Sequence, residues 1–415
     1  MDSPQDLLQQ ALTLPNGSRL KNRLAKSAMS EALGTTDNHA TEALVRLYGR
    51  WAAGGIGLLI TGNAMIDRRA LGEPNNVAIE DDSDMPLLQR WAAAGQASGT
   101  QLWVQLNHPG RQSPKGLNAE NVSPSAVPFS PALQAFFAPP RALTEDEIVA
   151  LIQRFARSAG IVKRTGFSGV QIHAAHGYLI SQFLSPLTNQ RSDQWGGSAQ
   201  NRRRFVLEVY RAMRAEVGAA FPIGIKLNSA DFQQGGFSED ESLTVIQALH
   251  DEGIDLVELS GGTYEAPAMS DQKRHRASTL AREAYFLEFA RELATIAQMP
   301  LMVTGGIRRL PVVQQVLDSG IAMAGIATAL TLEPQLIKHW HEGRDLNPQL
   351  KPINWQRKPL AALATLAVVR DQMRRLSRGR LPDAKVAPWL ALVRDQWFIA
   401  RRTRQYRASM TQSSH

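Results

Sequence analysis

The chain has 415 residues, a hydrophobic content of 43% and no cysteine, which excludes disulfides and thiolate-bound metal or iron–sulfur sites. Its net charge is +8, but residues 351–415 alone carry 14 Lys or Arg against three Asp, so the basicity belongs to the tail and does not by itself indicate nucleic-acid binding. No apolar run approaches the roughly 18 residues that span a bilayer, and the first residues lack signal-peptide character, so we expect a cytoplasmic protein without a membrane span.

Eight short apolar runs alternate with longer helical patterns along the chain, which is typical of a parallel α/β arrangement. The predicted strands are 23–28, 57–61, 101–106, 169–173, 223–227, 256–260, 301–304 and 322–326. Amphipathic helices are predicted at 145–165, 201–217 and 239–252, and Thr144 with Glu147 predicts a capping box for the first. No GxGxxG follows an early strand, so a (β/α)8 barrel over residues 1–345 is favoured over an open doubly wound sheet.

The remaining residues, 346–415, are predicted to form a basic helical extension. Its apolar residues have helical spacing: Leu360, Leu363, Leu366, Val369, Trp389, Leu390, Leu392, Val393 and Trp397. We expect these helices to pack on the barrel or on an oligomer neighbour, with the arginines solvated or paired. An anionic partner, whether membrane, nucleic acid or acidic cosubstrate, is the alternative. The Gly/Pro/Ser-rich passage 108–140 is predicted to be an extended loop over the barrel mouth.

Polar residues and glycines follow most of the predicted strands. Because the C-terminal strand ends of a barrel open onto one face, we expect them to converge there. Unpartnered polar groups at such positions are costly, so a whole ring of them indicates a binding site. The ring comprises Ser27, Ala28, Met29, Ser30, Asn63, Gln105, His173, His176, Lys226, Asn228, Gly305, Gly306 and residues 325–328.

The turns after strands seven and eight predict a phosphate site, because barrel enzymes often bind phosphate there through backbone N–H groups. The residues are Gly305, Gly306, Ala327 and Thr328; a tight turn without a ligand is the alternative for the glycine pair. A phosphate there, with hydrogen-bond donors further in, indicates FMN. Lys226 would then lie at the flavin N1–C2 edge, where a cation stabilises the reduced form. Its alternative is a buried ion pair inside the barrel.

His173, His176 and Tyr178 are suited to binding and protonating a small substrate. The two imidazoles can donate to an enone or nitro oxygen, and Tyr178 can act as a general acid. Two alternatives remain open, namely structural histidines and a core tyrosine. A zinc site is disfavoured because no third ligand with suitable spacing is evident, so we predict no metal.

The stretch around these residues, HAAHGYLISQFLSPLTNQRSDQWGGS (173–198), resembles the signature of the old yellow enzyme family. Further similar blocks are LKNRLAKSAMS (20–30), GGIGLLITGNAM (54–65), QLWVQLNHPGR (101–111) and VTGG (303–306), and the resemblance covers about residues 10–340. It implies a (β/α)8 enzyme with non-covalent FMN, reduced by NADH or NADPH, that delivers hydride to an activated alkene in a ping-pong cycle. It implies flavin contacts for 27–30, Asn63, Gln105 and Lys226, substrate-oxygen binding by His173 and His176, and the proton donor's place for Tyr178.

The chain departs from the family's pattern at several of these positions. Ala28 replaces the family's usual proline, and Ser30 stands where the family has Thr or Cys near flavin O4. Ala32 stands where some members have a tyrosine. Lys226 replaces the usual arginine, so the bidentate hydrogen bonding of a guanidinium is lost. Ala327–Thr328 replaces a Gly-Arg pair, and losing that arginine removes a contact of about 1.5–3 kcal/mol to phosphate. Arg308 is a candidate to compensate.

Other functions stay open on the sequence alone. A flavin barrel can also perform nitro reduction, denitration or oxidative demethylation, and a barrel without tight FMN binding would be a non-catalytic scaffold. We expect a small-molecule substrate with a conjugated carbonyl or nitro group and no nucleic-acid partner, and a homo-oligomer is compatible with the tail. Loops such as 108–140 and 261–280 are expected to decide the substrate.

Overall fold

The computed structural model describes residues 8–263, 265–266 and 286–412. Eight parallel strands form a ring in which each strand pairs with the next, and pairing of the last strand with the first closes it. The predicted (β/α)8 barrel is therefore confirmed. The strands are β1 (Leu24–Lys26), β2 (Leu58–Met65), β3 (Gln101–Asn107), β4 (Gly169–Ala174), β5 (Ile223–Asn228), β6 (Leu256–Ser260), β7 (Leu301–Val303) and β8 (Met323–Ile326).

The alternation of side chains along the strands divides the apolar core into two layers. On β3, Trp103 packs in a small cluster with Leu58, Ile60 and Met302, whereas Leu102 and Val104 belong to the large cluster shared with the helices. Leu14 and Leu20, from the antiparallel hairpin Leu12–Thr13 with Arg19–Leu20, join the small cluster. Apolar side chains therefore fill the lower barrel, and polar ones are left for the upper end.

Helices alternate with the strands and cover the outside of the barrel. Both helix starts that were predicted near 145 and 239 carry a capping box, the first formed by Thr144 and Glu147 as expected. The helices are α1 (Glu42–Ala52), α2 (Met85–Gly95), α3 (Glu145–Arg164), α4 (Leu179–Leu184), α5 (Ala199–Val217), α6 (Glu239–Asp251), α7 (Leu287–Ala294), α8 (Leu310–Asp318), α9 (Ala329–Leu332) and α10 (Leu336–His341).

The two loops that were expected to decide the substrate are described to different extents. The passage 108–140 is largely irregular, but its Val122–Ser123 pairs in parallel with Arg141–Ala142. Of the second loop, 261–280, residues 264 and 267–280 lie outside the described residues.

Two further helices, α11 (Lys358–Ser377) and α12 (Pro388–Gln412), form the C-terminal extension. Met373 and Leu376 of α11 join the large apolar cluster, and Tyr406 of α12 is buried beside Met65 and Leu71. The extension thus packs on the barrel, and no helix in the described ranges is long and apolar enough to cross a membrane. Several apolar residues of the predicted pattern face solvent instead: Leu360, Leu363, Leu366, Trp389, Val393 and Trp397.

Candidate active site

A chain of buried polar side chains crosses the barrel interior just above the apolar layer. Gln105 Nε2 donates to Gln171 Oε1 at 2.7 Å, and Gln171 Nε2 donates to Glu258 Oε2 at 2.8 Å. The Lys226 ammonium lies 3.1 Å from Glu258 Oε1 and ends the chain. All four side chains are almost fully buried. Two hydrogen bonds and one ion pair therefore link these side chains in a region that water barely reaches.

Lys226 is thus held by an ion pair inside the barrel, which was the alternative to a flavin contact. The two interpretations are compatible, because an ammonium has three N–H donors and Glu258 accepts only part of that capacity. The sequence interpretation missed Gln171 and Glu258. Both signals were present: Gln171 shares the side-chain face of His173 two residues later, and Glu258 is a charged residue in an otherwise apolar strand.

The structure brings His173, His176 and Tyr178 together beside the end of β4. The ring centroids of His173 and His176 are 5.2 Å apart, and those of His173 and Tyr178 are 4.8 Å apart, both in edge-to-face geometry. Asn63, at the end of β2, donates through Nδ2 to the Tyr178 hydroxyl at 3.4 Å. Four of the predicted residues therefore share one rim of the barrel.

The backbone of His176 is locked in an unusual conformation. Its φ is +62°, a left-handed value that costs a non-glycine residue about 1–2 kcal/mol. Its backbone N–H donates to Asn228 Oδ1 at 3.0 Å, and its Nε2 lies 2.7 Å from the Ser260 hydroxyl. Contacts from β5 and β6 therefore fix both the main chain and the ring.

Burial keeps both imidazoles neutral. It lowers the pKa of His173 well below its ordinary value, with smaller contributions from His176 and Lys226. Burial also lowers the pKa of His176 to about 3, assisted by Lys226. His173 Nδ1 accepts the Ala175 N–H at 3.3 Å, so the single proton of the neutral ring belongs on Nε2. His173 is therefore a neutral hydrogen-bond donor.

The segment after β1 provides Ser27, Ala28, Met29 and Ser30. Ser27 is buried, and its hydroxyl donates to Thr304 Oγ1 at 3.0 Å, which ties this segment to the end of β7. The Ser30 hydroxyl donates to Glu73 Oε2 at 2.9 Å. A serine has one proton to donate, so Ser30 presents only lone pairs elsewhere. Ser30 lies directly after β1, where the sequence places it, and its contact with a flavin stays a prediction.

A second buried polar cluster, also missed from the sequence, lies beneath this segment. Glu31 accepts the Gly62 N–H at 2.9 Å and contacts the Tyr48 hydroxyl, while the Lys26 ammonium donates to Ile60 O at 2.7 Å and to Tyr48 at 3.2 Å. Burial lowers the pKa of Lys26 to about 8. Through these contacts the cluster links Glu31, in the segment after β1, to Gly62 of β2 and Tyr48 of α1.

The turns after β7 and β8 form the remaining part of the predicted site. Gly305 and Gly306 have φ values of +113° and +73°, conformations that glycine adopts without strain. Ala327 is partly buried and Thr328 is exposed at the start of α9. Arg308, two residues past the glycines, is partly buried. Position 328, where the family has an arginine, therefore carries no positive charge in this chain.

These residues fit FMN by the chemistry of their donors. The buried Lys226 ammonium and the amide of Gln105 suit the polar edge of an isoalloxazine ring, and the neutral imidazoles remain for a substrate. Gly305 and Gly306 have positive φ values, and turns of this kind can present backbone N–H groups to a phosphate. The Ser30 hydroxyl donates to Glu73, so this side chain would offer a lone pair to a flavin rather than a proton.

Comparisons with known proteins identify the family to which the chain is similar. Residues 8–347 match the NADH:flavin oxidoreductase / NADH oxidase family. The NADH-dependent flavin oxidoreductase iccE of Talaromyces variabilis is 38% identical over 356 residues, covering 80% of this chain and 85% of the relative. The NADH oxidase of Thermoanaerobacter brockii is 31% identical over 333 residues, covering 78% of this chain and 49% of the relative.

Solved structures agree as well. A 2-naphthoyl-CoA reductase in complex with 2-naphthoyl-CoA is 26% identical, with a TM-score of 0.73, and covers 82% of this chain and 53% of its own. An old yellow enzyme homologue from Zymomonas mobilis, 24% identical, shows the same fold with a TM-score of 0.69 and covers 84% of this chain and 95% of its own. The predicted old yellow enzyme resemblance, enzyme class, FMN and NAD(P)H are confirmed. The chain belongs to the NADH:flavin oxidoreductase / NADH oxidase family.

Proposed function

We propose that the protein reduces the C=C bond of a small alkene conjugated to a carbonyl group, with NAD(P)H as the reductant. The observation that carries this proposal is the convergence of two neutral histidines and a tyrosine on one rim, with ring centroids 4.8 and 5.2 Å apart. FMN contacts are proposed for Ser27, Ala28, Met29, Ser30, Asn63, Gln105, Lys226, Gly305, Gly306, Ala327 and Thr328.

His173 and His176 bind the substrate oxygen in this proposal. Each neutral imidazole donates one hydrogen bond, His173 through Nε2 and His176 through Nδ1 with the Ser260 hydroxyl donating to its Nε2. Such bonds withdraw electron density from the conjugated C=C bond. The β-carbon thereby becomes the electrophilic position. Because His176 is fixed by Asn228 and Ser260, its contribution is pre-organised rather than assembled on binding.

Tyr178 protonates the α-carbon. When bound, FMN would supply hydride-transfer chemistry at the β-carbon, with NAD(P)H as the source of the hydride. The Tyr178 O–H transfers its proton to the α-carbon, so the C=C bond gains H⁻ and H⁺ while NAD(P)H becomes NAD(P)⁺. Asn63, which donates to the Tyr178 oxygen, orients the hydroxyl.

Lys226 and the glycine turn hold the cofactor in this proposal. Lys226 is buried near the barrel mouth, where its ammonium would stabilise the negative charge of a bound reduced flavin. Gly305 and Gly306 offer backbone N–H groups to the phosphate. Arg308 supplies the charge that Thr328 lacks, and an unchanged FMN affinity in Arg308→Ala would contradict this last role.

The test compares the two half-reactions of FMN-loaded Tyr178→Phe with those of the wild type by anaerobic stopped flow. Reduction by NADH is expected at the wild-type rate. Reoxidation by 2-cyclohexenone is expected to slow about a hundredfold or more, because the general acid is lost. Tyr210→Phe is the matched control, since Tyr210 donates to the Glu252 carbonyl on the outer helices.

Reoxidation of the variant by a quinone, which needs no carbon protonation, should stay unchanged. Equal slowing with both oxidants would mean that Tyr178 shapes the pocket rather than supplying a proton. Reoxidation of the wild type by nitro compounds but by no enone would replace the proposal with nitro reduction.

A further inference from the structure

The second helix of the C-terminal extension exposes a continuous stripe that is apolar at one end and cationic at the other. Trp389, Val393 and Trp397 follow each other at four-residue spacing, so they share one helix face. They are 61%, 60% and 60% exposed. The same face continues with Arg401 and Arg404, both exposed, and the Arg401 guanidinium lies 5.4 Å from the Trp397 ring centroid.

The opposite face of α12 is already occupied by the protein. Ala391 packs with Ala367 and Val368 of α11, Asp395 pairs with Arg370 and Arg374, and Tyr406 is buried further along. The helix is therefore anchored through one side. The stripe therefore lies on the face of α12 that does not pack on the rest of the protein, and the packed face holds it in place.

The exposed charged side chains of the C-terminal extension are all positive. Within described residues 351–411, none of the three Asp is exposed, because Asp395 is buried and Asp371 and Asp383 are partly buried. The exposed cations of this segment are Lys351, Arg357, Lys358, Arg378, Arg380, Lys385, Arg394, Arg401, Arg404 and Arg407. Whatever covers the stripe must therefore tolerate a strongly positive surface.

We infer that the α12 stripe docks peripherally on an anionic lipid bilayer. Exposed tryptophans beside arginines suit the membrane interface, where rings enter the headgroup region and cations meet anionic lipids. A second copy of this face would bring like charges together, which opposes self-association. Nucleic acid would satisfy the arginines but offers no apolar phase for a Trp–Val–Trp stripe. None of the described helices can cross a bilayer, so the contact is superficial.

The test is cosedimentation of the full-length FMN-loaded protein with vesicles. The wild type should bind vesicles of equal parts phosphatidylcholine and phosphatidylglycerol, and salt should weaken the binding. Arg401→Gln with Arg404→Gln should weaken it about 25-fold, at about fivefold for each charge. Trp389→Ser with Trp397→Ser should weaken it at least about tenfold. Each side chain is exposed, so circular dichroism and flavin content should match the wild type.

The matched control is Arg157→Gln with Lys338→Gln, which removes two exposed cations from α3 and α10. Equal loss in the control would assign the binding to net charge and overturn the inference. No binding to anionic vesicles, or equal binding to phosphatidylcholine alone, would overturn it as well. A dimer in analytical ultracentrifugation that the Trp variants abolish, without vesicle binding, would assign the stripe to a second copy. Binding of a DNA duplex that the Arg variants abolish, without vesicle binding, would assign it to nucleic acid.

Discussion

The protonation state of His176 follows from its surroundings rather than from its residue type. An exposed histidine titrates near pH 6.5, within the range in which many enzymes work. Burial beside Lys226 lowers the pKa of His176 to about 3, so the ring stays neutral throughout that range. Substrate binding through this ring should therefore not switch with pH between about 5 and 8.

The same shift makes the stability of the protein depend on pH. In the unfolded chain His176 binds a proton below about pH 6.5, whereas in the folded protein it does so only near pH 3. The contribution of His176 to the free energy of unfolding is therefore complete above pH 6.5 and is lost as the pH falls toward 3. Between pH 7.5 and 5, His176 alone should cost about 2 kcal/mol of unfolding free energy. Urea unfolding of His176→Asn at both pH values should show a smaller loss than the wild type.

Part of the loss should persist in that variant, because burial also lowers the pKa of His108 to about 4. His250→Asn, at a partly buried position on α6, is the control for removing an imidazole outside the candidate site. Equal pH dependence in His176→Asn and the wild type would show that the ring is accessible to solvent protons.

A second prediction at this scale concerns Thr328, which is exposed and uncharged at the start of α9. Thr328→Arg should tighten FMN binding about tenfold to a hundredfold, because a charge-assisted bond to phosphate is worth about 1.5–3 kcal/mol. Fluorescence titration of the flavin-free protein would measure this. Riboflavin, which lacks the phosphate, should bind both proteins equally; a parallel gain for riboflavin would place residue 328 away from the phosphate.

At the residue scale, the sequence identified the groups that meet at the mouth but not all of their partners. His173, His176 and Tyr178 lie within six residues, so one strand end places them together. Ser30 and Glu73, or Lys226 and Glu258, come from different strand–helix units. Their pairing depends on side-chain directions that only the closed barrel sets, so the sequence did not identify Glu73 or Glu258 as the partners.

At the scale of elements, one chain of charges joins the C-terminal helices to the segment after β1. Asp395 of α12 lies 2.9 Å from Arg370 and 2.7 Å from Arg374, both on α11. Arg370 also lies 2.6 Å from Glu73, whose other oxygen accepts the Ser30 hydroxyl. The extension therefore holds the carboxylate that orients a predicted flavin-site residue.

Removing the central carboxylate should destabilise the protein. Asp395 is buried and faces two largely buried arginines, so Asp395→Ala leaves both without this partner. We expect the free energy of unfolding, measured with urea, to fall by about 3 kcal/mol. Asp383→Ala is the control, because Asp383 lies 3.8 Å from a partly exposed Arg375 and such pairs contribute less than about 1 kcal/mol. Similar losses in both variants would contradict a special role for Asp395.

Periodicity predicted the elements well and their surroundings less well. The eight strands were located because buried parallel strands form continuous apolar runs, although β2 extends four residues beyond the predicted end at 61. In the extension, helical spacing predicted α11 and α12, yet Leu363 and Trp397 face solvent. Helical spacing of apolar residues indicates that one side of a helix is apolar, but it does not show whether another part of the same chain packs against that side.

At the scale of the whole molecule, charge and core divide the chain differently. The charge separates residues 351–415, with a net +11, from the near-neutral remainder. The core does not follow that division, since Met373 and Leu376 of α11 belong to the same apolar cluster as the helices around the barrel. The proposed division into a barrel at 1–345 and an extension at 346–415 is therefore one of sequence character rather than of folding.

Calorimetry should accordingly show one cooperative unfolding transition for the whole chain. Exposing the extension alone would uncover Met373, Leu376 and Tyr406 and would break the Arg370–Glu73 pair, so partial unfolding costs much of the shared core. FMN at a hundredfold excess over its dissociation constant should stabilise that single transition by about 2.7 kcal/mol. Asp395→Ala should lower the midpoint temperature of the same transition, although Asp395 lies in the extension. Two transitions, with only one responding to FMN and the other to Asp395→Ala, would show instead that the extension folds separately and that its ion pairs do not support the barrel.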